Sequence, residues 1–335
     1  MLTTAGSVTH GTSLNRTSLV AAFLVGFATV SLSCGSEQTD GSRRFLSLGT
    51  AGTGGIYYPL GGAIASRLSV ADPDHQYTAE VTGGSVENVN RVVNGEMDFG
   101  FSMATTVYEA YSGGSDYPEP LETLRIIAPL YPNVTHVLVS RSSDARSIAD
   151  LAGRRVSVGS PGSGTEQLAR QVLEAYDIGY DDIETRYLSF SESANALRDG
   201  AIDAALISVG YPAAAVLEAT TTGNARILQI DSTTQRFLAG KYPYYMPGMI
   251  PAGAYPGITA NIPTVAVMNW IVATEALEGS VVRLLLDILR DQHDQLVQVN
   301  AIASQIQVEA LRTAPIPLHP AAAAWLEEQG ARMEH

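Results

Sequence analysis

The chain has 335 residues, with 34 acidic against 20 basic side chains, a formal net charge of −14 and one cysteine. A field of that sign excludes nucleic acid and anionic lipid as partners held by charge, and a lone thiol excludes an internal disulfide and a cysteine-built metal site. The length suffices for two domains, and an anionic ligand would have to be held by short-range, preorganised donors.

Residues 1–34 read as a secretory signal peptide. Arg16 precedes the apolar run "LVAAFLVGFATV" (19–30), which is followed by "SLSC". Twelve apolar residues are too few to span a bilayer. Cys34 directly after them is the candidate site of lipidation, although Ser31 and Leu32 depart from the usual lipobox. The polar "GSEQTDGSRR" (35–44) reads as a tether, so membrane attachment is expected through the lipid anchor alone.

An apolar strand at 45–48 then runs into "GTAGTGGIYYPLGGAIASRLS" (49–69), a glycine-rich turn opening an amphipathic helix. Such a turn exposes backbone N–H groups where the helix dipole favours an anion. It is not a P-loop, because the chain's single lysine, Lys241, lies far away, and the dinucleotide fingerprint fails because Tyr57 stands where its third glycine belongs. Candidate ligand donors here are Thr53, Gly54, Gly55 and Tyr57, while Tyr58, just before Pro59, reads as a packing residue. "GGSVEN" (83–88) has the same character and adds Gly84, Ser85 and Asn88. Ser85 is equally readable as a helix N-cap, and Asn88 as a residue facing solvent. Val86, Val89 and Val93 mark one buried helix face that closes at Gly95. Ser102 follows the strand "DFGF" at its carboxyl end, where open α/β sheets bind ligands.

Residues 117–141 supply two apolar runs separated by "YPN" and read as a crossover. The pattern then repeats. "VSVGSPGSGTEQLARQVLEAY" (156–176) is again strand, glycine loop and helix, with Gly159, Gly162 and Gly164 spaced as Gly49, Gly52 and Gly54. "ALRDGAIDAAL" echoes "RVVNGEMDFGF", with Gly200 and Asp203 matching Gly95 and Asp98. These Gly-x-x-Asp pairs read as structural. The second set of candidate donors is Ser163, Gly164 and Thr165, with Thr165 alternatively the cap of a helix starting at Glu166. Gly210 and Tyr211 occupy the place of Ser102, and Tyr211 is readable as cleft floor or as packing. Residues 241–262, rich in proline, glycine and tyrosine, read as the return crossover. An apolar stripe over 280–300 predicts one long helix, and "TAPIPLHPAAAAWLEEQG" a capping helix.

No catalytic residue and no metal ligand is assigned. His75, His136, His293 and His319 stand in no catalytic order, Pro161 breaks the GxSxG elbow around Ser163, and HExxH is absent. Arg125, Arg141 and Arg186 lie near strands, and a ligand contact by any of them stays open.

In order, "GTAGTGGIYYPLGG", "GGSVENVNRVVNGEMDFGFS", "LYPN", "VGSPGSGT", "ALRDGAIDAALISVGYP", "PAGAYPG" and "PLHPAAAAWLEEQG" resemble the solute-binding receptors of the TAXI class of TRAP transporters over residues 45–332. The resemblance implies an α/β, two-lobed type II periplasmic-binding-protein fold with a cleft between hinged lobes. On that plan, lobe 1 begins with 45–133, lobe 2 is 134–245, and 246–335 holds the return crossover, the completion of lobe 1 and C-terminal helices. It implies no cofactor, a TRAP transporter membrane subunit as partner, and a small organic anion, either a glutamate-like amino acid or a dicarboxylate, as solute. One departure is Ala321 where the family has glycine after His-Pro. Two other readings stay open: an enzyme on the same scaffold using Ser163, and a sensory module binding the same solute.

Overall fold

The computed structural model describes residues 43–333 apart from 115 and 223–224. The signal peptide, Cys34 and most of the tether lie outside the described residues. Among them no helix is long and apolar enough to cross a membrane.

A mixed sheet organises the chain, in the order β2-β1-β3-β10-β4-β7-β5-β6. The first half is built from β1 (Arg44–Gly49), α1 (Tyr57–Ala71), β2 (His75–Glu80), α2 (Ser85–Val93), β3 (Phe99–Met103) and α3 (Ala104–Ser112). After β4 (Leu124–Ser140) the second half repeats the plan: β5 (Arg155–Ser157), α4 (Gly164–Glu174), β6 (Glu184–Arg186), α5 (Phe190–Arg198), β7 (Ala204–Val209) and α6 (Ala214–Thr221). The chain continues through β8 (Ala225–Leu228), α7 (Ser232–Lys241), β9 (Met246–Ile250) and β10 (Ile262–Thr274). It closes with α8 (Gly279–Asp291), α9 (His293–Val299) and α10 (Pro320–Met333).

In each half three parallel strands, β2-β1-β3 and β6-β5-β7, are joined by one antiparallel strand, β10 or β4. The halves exchange these fourth strands. β4 pairs with β10 over its first part and with β7 and β8 over its second, so two long strands carry the chain across and back. This is the type II periplasmic-binding-protein architecture. Residues 131–133, read from the sequence as a break, lie inside continuous β4, with a register irregularity opposite Met268–Trp270 absorbing the prolines. The return crossing is β10; residues 241–262 contribute the end of α7, β9 and a turn-rich loop.

Apolar spacing accounts for the packing. Tyr57, Leu60, Ile64 and Leu68 recur at three to four residues and bury one face of α1. Gly61 on that face lets α1 lie close to the sheet, since a Cβ there would overlap Thr50. β3 and β7 are buried along their whole lengths, as expected of strands covered by helices on both faces. The 280–300 stripe forms two helices rather than one, broken at Gln292. α10 docks on α8 through Trp325, whose indole donates to Asp287 at 2.9 Å. His319 caps α10, its Nδ1 accepting from Ala321 N at 3.1 Å.

The Gly-x-x-Asp echoes do the same job twice. Gly95 and Gly200 take left-handed φ values of +73° and +71° after α2 and α5. The aspartates then reach back to the first strand of their own half: Asp98 accepts from Ser47 N at 2.7 Å, and Asp203 from Arg155 N at 2.9 Å.

Candidate ligand-binding site

A cavity of about 230 Å³ sits where the parallel strands of both halves end. Its wall is made by the β1–α1 loop (51–57), the β2–α2 loop, Met103 at the end of β3, the β5–α4 loop (160–165), the start of α5, and Ser208 and Val209 at the end of β7. Five helices begin there. Ile56, Gly84, Met103, Ser163 and Ser189, the caps of α1 to α5, are all in the lining. Each helix start presents N–H groups without an intrahelical acceptor and the positive end of its dipole.

β4 supplies the floor, held by a chain of hydrogen bonds. Tyr57 Oη donates to Asn269 Oδ1, and Asn269 Nδ2 donates to Tyr131 O at 2.7 Å and to Asn133 Oδ1 at 2.8 Å. Asn133 in turn donates to Ser208 O at 3.1 Å. Burial holds the Tyr57 and Tyr131 hydroxyls far above their ordinary pKa, so both remain neutral. Two hydroxyls of lining residues, Tyr131 Oη and Ser208 Oγ, are buried with no hydrogen-bond partner among the described residues. A buried hydroxyl left so costs on the order of 1–3 kcal/mol. Among the described residues, no Asp, Glu, Lys, Arg, His or Cys is in the lining.

The halves meet around this space. Val86 N and Glu87 N both donate to Gly162 O, at 3.1 and 3.0 Å, and Ala215 N donates to Gly54 O at 3.2 Å. A Cβ on Gly54 would overlap Ser191 Oγ, and one on Gly164 would come to 2.8 Å from Ser85 Oγ. Beside the cavity Thr106 Oγ1 donates to Gln167 Oε1 at 2.5 Å.

Of the residues expected from the sequence, Thr53, Gly54, Gly55, Tyr57, Gly84, Ser85, Ser163, Gly164 and Thr165 line the cavity. Several have different local roles from those anticipated. Gly84, not Ser85, is the cap of α2, and Ser85 Oγ accepts from Met103 N at 3.0 Å. Ser163, not Thr165, caps α4, accepting from Glu166 N and donating to Ser160 O.

Four expected residues stand outside the lining. Asn88 is buried, clamping β1 to β3 by donating to Thr50 O and Phe101 O, both at 2.8 Å. Ser102 lies within β3, where side chains alternate between faces, and Met103 takes the wall instead. Gly210 is wedged among Ile302, Ile56 and Tyr131, within 3.0 Å of where a Cβ would stand. Tyr211 packs half-buried against the core, before a cis bond to Pro212. None of Arg125, Arg141 and Arg186 lines the cavity; Arg125 and Arg186 pair with Glu275 and Glu184.

Residues missed from the sequence include Tyr131, Asn133, Ser208 and the start of α5, Ser189, Phe190 and Ser191. The last had a signal: "SFSE" is a capping box, and Ser189 and Glu192 bond reciprocally. Tyr131 and Asn133 stood in "LYPN", a segment of the family resemblance, but nothing local placed them at a ligand, because their place is set by a register with β10 more than a hundred residues away.

The comparisons agree with this architecture. Over 122 residues the chain is 29% identical to the "Putative aliphatic sulfonates-binding protein" of Escherichia coli (strain K12), a stretch covering 35% of this chain and 36% of that protein. The chain thus spans about a third of that relative's length. Among solved structures, MatC from Rhodopseudomonas palustris with bound malate superposes at a TM-score of 0.57 and 12% identity, over 85% of this chain and 97% of that one. A periplasmic transporter structure matches at 0.52 and 12% identity, over 87% and 94%. The model of the NMT1-like family matches residues 48–330, and the chain belongs to the NMT1-like family.

Proposed function

We propose that this protein is an extracytoplasmic solute-binding receptor that captures a small organic anion between its two halves and delivers it to a membrane transporter, with no chemistry of its own. The observation that carries the reading is the meeting of five helix starts and two unpartnered buried hydroxyls around one small cavity formed jointly by both halves. Donors from both halves reach the solute only when the halves are together, so binding favours the closed arrangement by population shift. The sulfonates-binding relative and the malate-bound neighbour are consistent with an oxyanion as the group recognised. Of transporter types, the seven motif segments favour a TRAP membrane subunit driven by an ion gradient, with the chain tethered through a lipid on Cys34.

Calorimetry of the purified protein against succinate, glutarate, malate, glutamate and short alkanesulfonates tests the receptor reading. Saturable one-to-one binding with the solute recovered unchanged is expected; consumption of the solute, or no binding by any of them, overturns it. Uptake into vesicles holding the membrane subunit tests the coupling. Loss on collapsing the ion gradient is expected, and dependence on ATP would assign a different partner.

A further inference from the structure

Resting on that receptor reading, we infer that the cavity discriminates against solutes carrying an ammonium group, so that its solute is an amine-free organic anion with an apolar body rather than an amino acid. An ammonium buried in protein needs a carboxylate or several aligned acceptors, and among the described residues no carboxylate lines the wall. The acids at the helix starts are already engaged. The first turns of α2, α4 and α5 carry Glu87, Glu166 and Glu192. Glu87 accepts from Gly83 N at 2.7 Å and pairs with Arg91. Glu166 binds Arg170 and the Tyr180 hydroxyl, both at 2.8 Å, and Glu192 bonds back to Ser189 N at 2.8 Å. All three are thus bonded to their own local partners.

The field inside the cavity points the same way. Five helix starts turn positive dipole ends toward it, which favours an oxyanion and repels an ammonium. Tyr131 Oη and Ser208 Oγ, on two residues of the lining, each keep a donor proton with no acceptor among the described residues. Between these polar groups Ile56, Val81, Met103, Phe190 and Val209 give an apolar wall suited to methylenes.

The test is calorimetry on the full chain, stripped of retained ligand by unfolding and refolding, with matched pairs: glutarate against glutamate, succinate against aspartate, propane-1-sulfonate against 3-aminopropane-1-sulfonate. The amine-free member is expected to bind at least tenfold tighter in each pair that binds. Equal or tighter binding of the amino member overturns the inference, as does failure of every amine-free member to bind. If the amino acids bind well, the receptor reading survives while this one falls; if no organic anion binds at all, both fall. Tyr131→Phe and Ser208→Ala should weaken the amine-free member threefold or more without lowering the melting temperature of the ligand-free protein. Unchanged affinity in both variants would remove the hydroxyls from the argument and overturn the assigned polarity.

Discussion

The first and second halves share strand order, helix order and glycine spacing, yet their glycine loops are bare for different reasons. In the second, Gly159 and Gly162 adopt φ values of +107° and +72°, a backbone that side chains resist. In the first, no glycine from 49 to 55 has a positive φ; Gly49 is required because a Cβ would overlap Met97 and crowd Asn88. The third glycine of each set, Gly54 or Gly164, does the same work in both halves, lying against the start of the other half's second helix at Ser191 or Ser85. One spacing therefore encodes a backbone bend in one half and a packing constraint in the other, and its last member meets the opposite half in both.

The fourth strands differ as well. β10 brings an amide, Asn269, to its half, whereas β4 buries an imidazole, His136. Its Nδ1 faces Ile207 O at 3.3 Å, and its Nε2 meets the Tyr255 hydroxyl at 3.1 Å. Because Ile207 O can only accept, the proton of the neutral ring sits on Nδ1, and the Tyr255 hydroxyl, whose oxygen accepts from Ala213 N, donates to Nε2. This gives the "PAGAYPG" segment a structural role.

The largest expected difference between the halves follows from that imidazole. Burial pushes the His136 pKa down to about 4 from an ordinary 6.5. The unfolded chain takes up the proton first, so stability is full above pH 6.5 and falls toward pH 4, by up to about 3 kcal/mol. Urea unfolding from pH 7 to 4.5 should show this slope and His136→Gln should flatten it; parallel curves for the two proteins would contradict the assignment. Next, Gly49→Ala forces an extra methyl group against Met97 and Asn88 and should cost about 2–3 kcal/mol, read from the unfolding midpoint. Gly54→Ala, whose methyl meets Ser191 across the cleft, should leave ligand-free stability nearly unchanged while weakening solute binding tenfold or more. An unaltered affinity would separate that glycine from closure.

The smallest effects sharpen the loop comparison most directly. Gly162→Ala, at a left-handed backbone, should cost about 1–2 kcal/mol. Its counterpart Gly52→Ala, with no atom within 4 Å of the new methyl, should be neutral or stabilise by less than about 1 kcal/mol. Equal outcomes at the two positions would mean that the loops are bare for one common reason.

Much of this was written locally. Glycine spacing, the apolar face of α1 and the Gly-x-x-Asp closures depend on residues a few positions apart, so the repeat of strand, loop and helix is visible in the chain, although α2 buries Ser85, Asn88, Val89 and Val92 rather than the stripe Val86, Val89 and Val93. Even the missed start of α5 announced itself in "SFSE". Other features were not local. Whether Asn88 and Ser102 face the cavity or the core turns on strand alternation and on the clamp between β1 and β3. The break at Gln292, the continuity of β4 through 131–133 and the crossing by β10 were settled by packing and by register across the sheet.

The amino-acid order thus fixed two similar halves and the bare helix starts at their strand ends, because propensity, capping and glycine conformation act over single turns. The floor of the cavity arose only in three dimensions. Tyr57 and Asn269 are separated by 212 residues, and Tyr131 and Ser208 reach the same space only because β4 lies between β10 and β7. Antiparallel pairing between distant strands leaves no periodic trace in either strand, and hydroxyls without a partner become recognisable only when every neighbour is known.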